Sequence, residues 1–369
     1  MNGEVAAQDG GHILLRSYLT CFIVSILQVL HTPLISVYAL SIGASLLEIG
    51  LVCGLSPVIY TIFAAFAGFF LQRIREGKAV LLSMFLLLFY FILPFTSSVY
   101  FLAVVALILV LGYAIFWPAV ESIISHIEGS VSKFSTSWST GSLVGSLLVS
   151  PLLLLGIRKA FIALGLTSLA SLLLTFNIKV YYPSTLPSFK KFLNSLSDIP
   201  WAWLWAFSYS TAQGVVFTYY PVIVEVLGFS TWLISLSLFS TVFFRTLVFV
   251  FYSKLPRYLR NSTIAGLLIL FPSILPFTNN PVIVSFASIM LGIGAGILYN
   301  NSLENVFKSS KESRVIYTSL FESFIGLGYS IGPILAGVVS TLTTLHYTIL
   351  SSTILALTTV LIGIILKTT

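Results

Sequence analysis

Several charged side chains interrupt runs that are otherwise apolar enough to cross a bilayer. Glu121 lies in FWPAVESII, Arg245 in STVFFRTLVF and Glu322 in SLFESFIGLG, while Glu304 closes another such run. A charge at the centre of hydrocarbon costs roughly 2.5–3.5 kcal/mol on insertion scales, so each needs a reason. One reason is proton coupling, because a carboxylate taken out of water favours its neutral form and can load and release a proton as its access alternates. Glu121 is the first candidate for that role and Glu322 the second. Arg245 lies at a depth similar to that of Glu322, so the two could pair. The competing reason is structural: an inter-helix tie, or a side chain reaching back to the boundary. Both readings stay open for Glu121 and Glu322. Glu304 reads as structural, and Glu48 and Glu225 as interfacial. Polar and aromatic residues also recur at helical spacing. Gln28, His31 and Thr32 sit at i, i+3, i+4, and Tyr113, Trp117 and Glu121 at i, i+4, i+8. Tyr209, Gln213 and Tyr220 share a face, and Tyr299, Asn300 and Asn301 cluster. His31, two residues before Pro33, could bind a solute or fill a kink.

The elements that carry these residues are transmembrane helices. Of 369 residues, 57% are hydrophobic and only 8% are charged, against about 25% charged in soluble domains. The apolar runs are continuous, as in AVLLSMFLLLFYFILPF from Ala79, whereas barrel strands would alternate. A hydrocarbon core of about 30 Å needs roughly 20 helical residues, and the chain divides into twelve such spans: 14–40, 46–71, 79–96, 98–125, 136–156, 160–178, 201–226, 231–252, 262–278, 281–303, 315–341 and 345–366. A longer connection, residues 179–200, contains the amphipathic stretch SFKKFLNSLSDI, suited to the membrane surface. It separates an N-terminal six-helix bundle, 1–178, from a C-terminal one, 201–369. Of the 18 Lys and Arg residues, only Arg158, Lys159 and Arg245 fall outside one set of loops and ends. That set is expected to be cytoplasmic, with both termini, in a multi-pass protein of the cell membrane. Trp201, Trp203 and Trp205 are then expected at the inner interface. The net charge of +7 is explained by this bias rather than by a nucleic acid partner. Cys21 and Cys53 are the only cysteines, which rules out a disulfide framework or a CxxC metal site. No basic leader or A-x-A site precedes the first run. No HExxH or GxSxG is present, and the only aspartates, Asp9 and Asp198, lie outside the spans. The nearest acid pair is Glu121 with Glu128, so an enzyme is not expected.

The chain also repeats itself. ILPFT occurs at residues 92–96 and again at 274–278, 182 positions apart. Its flanks match at similar offsets. GASLLEIGL from Gly43 faces GFSTWLISL from Gly228, and LGYAIFWPAVES from Leu111 faces LGIGAGILYNNS from Leu291. Six spans per half is even, so both halves run the same way round and form a parallel repeat about an axis along the membrane normal. The loop between spans 2 and 3 reads GFFLQRIREGK from Gly68. With twelve spans in two sixes and a long middle loop, the chain resembles the major facilitator superfamily along essentially its whole length. Its loop motif there is roughly G-x-L-x-D-R-x-G-R-R. Gly68 and Arg73 match it, Gln72 replaces the usual acid, Arg75 and Lys78 supply further basic groups, and the following glycine is displaced to Gly77.

The resemblance implies an all-α fold and a secondary transporter working by alternating access. It implies that spans 1, 4, 7 and 10 line a central cavity. Gln28, His31, Thr32, Tyr113, Trp117, Glu121, Tyr209, Gln213, Tyr220, Tyr299, Asn300 and Asn301 would then form an aromatic pocket with a few amides and one acid. Such a lining suits a mid-sized organic solute and lacks the paired arginines expected for a phosphate or dicarboxylate. Gly141, Gly145 and Pro151 in span 5 echo the family's antiporter motif, and Gly328, Gly332, Pro333 and Gly337 in span 11 form a fuller version; plain helix packing is the preferred reading of both. The expected protein is a monomer in the bilayer, with no cofactor and no metal, moving a small organic molecule with protons. Export is preferred to uptake of a sugar or other metabolite. A membrane-embedded enzyme and a non-transporting receptor of the same fold are the remaining alternatives.

Overall fold

The computed structural model describes residues 2–71, 74, 76–127, 129–176, 189–308 and 314–368, and among them there is no strand. The N-terminal half contains α1 (Asn2–Ser41), α2 (Leu46–Leu71), α3 (Glu76–Leu87), α4 (Val99–His126), α5 (Val131–Leu155) and α6 (Ile157–Thr175). The amphipathic stretch forms the short α7 (Phe189–Asp198). The C-terminal half contains α8 (Pro200–Leu227), α9 (Trp232–Phe251), α10 (Ser262–Leu268), α11 (Pro281–Lys308), α12 (Arg314–Leu342) and α13 (Thr348–Thr368). With an even number of spans both termini lie at one end of the bundle, called here the termini side; the other end is the far side.

Among the described residues, ten helices are long and apolar enough to cross a membrane. The other two expected spans depart from that description for physical reasons. The ninth is short, Ser262–Phe277. The seventh, α8, has 28 residues but reads PWAWLWAFSYSTAQGVVFTYY at its start. Only helix surface that meets lipid must be apolar, and α8 is surrounded by protein. From Ala202 to Val224 every residue except Leu204 and Phe207 is buried, against α12, α13, α11 and α1.

The two ILPFT copies take the same local form. The first lies in 3₁₀ turns, Leu88–Phe91 and Leu93–Phe95, that follow α3. The second lies in the 3₁₀ segment Phe271–Phe277 that follows α10. A proline near the end of each span withholds an N–H donor and tightens the turn, and the threonine after it is extended in both copies.

The two most extensive contacts between the halves are the pairs α2 with α12 and α5 with α9, and α1 also packs on α8. Advancing each helix by six spans exchanges the pairs, as a two-fold relation requires. Glycines let α2 and α12 touch. A Cβ on Gly50 would stand 2.5 Å from Pro333 O, and one on Gly54 would stand 2.5 Å from Ile334 Cγ1. At α5–α9, Ser150 and Ser235 each offer a hydroxyl to the other's backbone N–H, both at 2.9 Å. Ser235 is in the first turn of α9, where backbone donors lack helical partners. Tyr219 donates to Leu46 O at 2.7 Å, also on the far side.

The helix ends are capped by their own sequence. Ser45 and Glu48 form a reciprocal capping box at the start of α2, with Ser45 N to Glu48 Oε2 at 2.8 Å and Glu48 N to Ser45 Oγ at 3.3 Å. Arg16 closes α6 by donating to Leu174 O at 2.6 Å and Phe176 O at 2.5 Å, a cation at a helix C-terminus. The tryptophans at the start of α8 differ from the interfacial expectation. Trp203 and Trp205 are buried; Trp203 stacks on Tyr317 and Phe324 and donates to Leu196 O of α7 at 3.1 Å. Asp198, at the end of α7, accepts from Tyr317 Oη of α12 at 2.5 Å, so these rings dock α7 onto the bundle.

Candidate functional site

The intramembrane charges converge between the halves. Glu322, two turns into α12, accepts a hydrogen bond from Tyr60 Oη of α2 at 3.0 Å. Glu121 of α4 is within electrostatic reach of Glu322, and Tyr60 is within reach of both acids. The two acids thus come from different halves and lie within electrostatic reach of each other, with the Tyr60 phenol bonded to one and within reach of the other. Glu121 is exposed, whereas Glu322 and Tyr60 are half-buried. α4 runs from the far side to its last turns at the termini side, so Glu121 is exposed near that end. Across the same region, Arg245 Nη1 donates to Gln213 Oε1 at 2.8 Å. The Tyr329 hydroxyl lies beside the same guanidinium, which sits 5.8 Å from the Phe249 ring centroid. Arg245 is held there by a close crossing of α9 and α11. A Cβ on Gly292 would stand 2.4 Å from Thr241 O, and one on Gly296 would stand 2.7 Å from Val248 Cβ. The anticipated pairing of Arg245 with Glu322 is not made, because each bonds a neutral partner instead.

Aromatic rings connect the two groups. Tyr299 of α11 is 5.7 Å from Tyr209, 4.7 Å from Phe249 and 5.2 Å from Phe321, centroid to centroid. It feels Glu322, Arg245 and Glu121 together. In the N-terminal half Trp117 Nε1 donates to Gln28 Oε1 at 2.9 Å, tying α4 to α1. His31 is buried and meets Tyr90 Oη at 3.0 Å, and Tyr90 Oη meets Tyr113 Oη at 2.7 Å. These three side chains form a buried chain across α1, the 3₁₀ turn after α3, and α4.

Other sequence-identified residues are placed as follows. Thr32 is half-buried on α1. Tyr220 is fully buried and its hydroxyl has no hydrogen-bond partner among the described residues. Asn300 bonds back to Gly296 O at 2.8 Å. Asn301 is turned away from Tyr299: it accepts from Tyr252 Oη and donates to Arg260 O at 2.9 Å and Ser262 Oγ at 2.8 Å. It therefore ties α11 to α10 rather than joining the central cluster. Glu304 pairs with Lys308 one turn on, at 3.6 Å, on the surface. Of the loop motif, Gly77 and Lys78 open α3 and Gly68 lies in the last turns of α2, whereas Gln72, Arg73 and Arg75 lie outside the described residues, as does Glu128. Tyr60, Tyr90 and Tyr329 do not stand out in the sequence. Tyr60 and Tyr90 are neutral and lie on spans 2 and 3, outside the four expected to line the cavity. Their positions inside apolar runs are the only local signal. Among the described residues no group of three or more His, Cys, Asp or Glu is placed to hold a metal ion.

The sequence matches the family model described as Major Facilitator Superfamily over residues 17–317. Among solved structures, a point mutant of the nucleoside transporter NupG superposes with a TM-score of 0.78 at 14% identity, covering 96% of this chain and 99% of that one. A bacterial homolog of the human lysosomal transporter Spinster, inward-facing and unoccupied, gives 0.73 at 14% identity, covering 97% and 96%. The human organic anion transporter MFSD10 gives 0.62 at 14% identity, covering 97% and 99%. These likenesses describe the fold. No curated protein matches the sequence.

Proposed function

Because the chain belongs to the Major Facilitator Superfamily of transporters, we propose that it is a proton-coupled secondary transporter moving a small organic solute by alternating access. The observation that carries this reading is the meeting of Glu121 and Glu322, one from each half, around Tyr60. When both acids are ionised their repulsion opposes closure of the halves over them. Protonation removes that repulsion, so proton loading and rocking of the halves become one event. Residues 1–178 and 201–369 are the two moving bodies, and 179–200 the connection between them. The Lys and Arg bias supports placing both termini in the cytoplasm and the protein in the cell membrane. On that topology, the far-side contacts of Ser150, Ser235 and Tyr219 and the exposure of Glu121 near the termini side favour an inward-facing conformer. The aromatic lining and the glycine–proline pattern of α5 favour export, and one chain contains the whole site.

The test uses purified protein in proteoliposomes under an imposed pH gradient. Solutes are first chosen by their ability to raise the melting temperature. Glu121→Gln and Glu322→Gln are expected to lose gradient-driven movement while keeping solute counterflow. If both variants keep full gradient-driven flux, the coupling assignment is wrong.

A further inference from the structure

Resting on the transporter reading above, we propose that Arg245 is the anion-recognition residue of the central site. The solute it selects carries a single carboxylate on an aromatic or otherwise apolar body.

Arg245 carries a charge that has no counter-charge among the described residues. A guanidinium stays protonated in proteins and presents five N–H donors. Arg245 holds this charge within α9, half-buried. Among the described residues no carboxylate lies within 4.0 Å of it. Its partners are neutral: the Gln213 amide oxygen at 2.8 Å, the Tyr329 hydroxyl and the Phe249 ring. Nη1 is the nitrogen used by Gln213, and Nε is buried with no acceptor. A guanidinium taken partly out of water without a paired anion is unfavourable. The edge formed by Nε and Nη2 is the fork that receives a carboxylate through two parallel bonds, so a bound carboxylate supplies both the missing acceptor and the missing charge.

Two further features define the rest of the solute. The ring of Tyr299, with Tyr209 and Phe249 against it, provides aromatic surface beside the guanidinium, where a planar apolar body packs edge-to-face or offset. The other charged groups of the cluster, Glu121 and Glu322, are acids that reach the same Tyr299. A second carboxylate on the solute would meet them rather than a cation. One arginine and two acids therefore select a monocarboxylate over a dicarboxylate.

Arg245 could instead serve only as a tie between α9 and α8 through Gln213, and the two roles separate in a binding experiment at constant pH. Purified protein is titrated with matched probes: benzoate against benzamide, indole-3-acetate against indole-3-acetamide, and phthalate as a dicarboxylate. The carboxylates are expected to bind about ten- to a hundredfold more tightly than their amides, the difference made by a charged hydrogen-bonded partner, and phthalate more weakly than benzoate. Arg245→Gln is expected to bring carboxylates down to the level of their amides without weakening the amides. Arg245→Lys is expected to retain part of the preference, since it keeps the charge and loses the fork. The proposal is overturned if amides match carboxylates in the wild type, if no carboxylate of the panel binds, or if Arg245→Gln keeps the full preference. The wild-type comparison decides alone if Arg245→Gln does not fold. A tie would lower stability in Arg245→Gln without changing selectivity. Because binding is read with no pH gradient, its outcome is independent of the flux measurements on Glu121→Gln and Glu322→Gln, so failure of either reading leaves the other standing.

Discussion

At the scale of residues, one side-chain bond joins the halves beside the acids: Tyr60 Oη to Glu322 Oε2, 3.0 Å. A hydrogen bond to a charged group contributes about 1.5–3 kcal/mol, and one between neutral groups about 0.5–1.5 kcal/mol. A double-mutant cycle on Tyr60→Phe and Glu322→Gln, with stability read by unfolding in mixed micelles, is therefore expected to return a coupling energy of at least about 0.5 kcal/mol. Strictly additive variants would show that the bond does not stabilise the protein. Glu322, Glu121 and Arg245 are visible in the sequence because charges in apolar runs are conspicuous. Their partners are not. Tyr60 is 262 positions from Glu322, and Tyr90 is 59 from His31. Both are tyrosines, which are common enough in such runs to carry no signal of their own. Charge and depth make the Arg245–Glu322 pairing a reasonable expectation, but depth leaves the azimuth around each helix open. Gln213 and Tyr60 occupy the positions nearer to each group.

At the scale of elements, helix contact is set by where side chains are absent. On α12 the glycines divide between two neighbours. A Cβ on Gly328 would stand 2.4 Å from Phe207 O of α8, and one on Gly332 would stand 2.5 Å from Thr211 O of the same helix. One on Gly326 would stand 2.6 Å from Thr61 Oγ1 of α2 instead. A small-residue pattern is legible in the sequence, but a pattern gives a face and not the neighbour it meets. The same limit applies to α8, whose length is legible while its burial explains its polarity. Gly50 gives the sharpest test. A methyl group there would meet Pro333 O at 2.5 Å and Tyr219 Oη at 2.6 Å. The first of these is backbone and yields only if α2 and α12 separate. Gly50→Ala is expected to destabilise the protein by about 1–3 kcal/mol, the range for overpacking, seen as a lower melting temperature in detergent. Gly11→Ala, where nothing lies within 4 Å, is the control and is expected to leave the melting temperature level or slightly higher, since alanine favours helix over glycine.

At the scale of the whole molecule, the duplication read from ILPFT and its flanks explains why the two most extensive inter-half contacts, α2 with α12 and α5 with α9, are related to each other. Twelve spans and two same-way-round halves are legible because hydropathy and internal repetition are properties of the chain itself. Which ends of the paired helices touch is not, because that depends on the conformer. In this conformer the far side is held by the reciprocal serines of α5 and α9, with Ser150 Oγ also donating to Thr231 O at 2.7 Å and Ser235 Oγ to Leu147 O at 3.0 Å. An alternating-access cycle must break this contact to open the far side, so a covalent link there should stop the cycle. The two backbones exchange bonds at 2.9 Å through the serine hydroxyls, so the side chains at 150 and 235 lie side by side, as a disulfide between them requires. Cys21 and Cys53 are both buried and free, so they do not compete for the oxidant. The double variant Ser150→Cys, Ser235→Cys is expected to lose transport in proteoliposomes on mild oxidation and to recover it with a reductant, while each single variant transports under both conditions. Binding from the termini side should survive in the locked form, because Glu121 remains exposed near that end. A cross-linked protein that still transports at full rate would show that the far side stays shut throughout the cycle and that the halves do not rock about these helices.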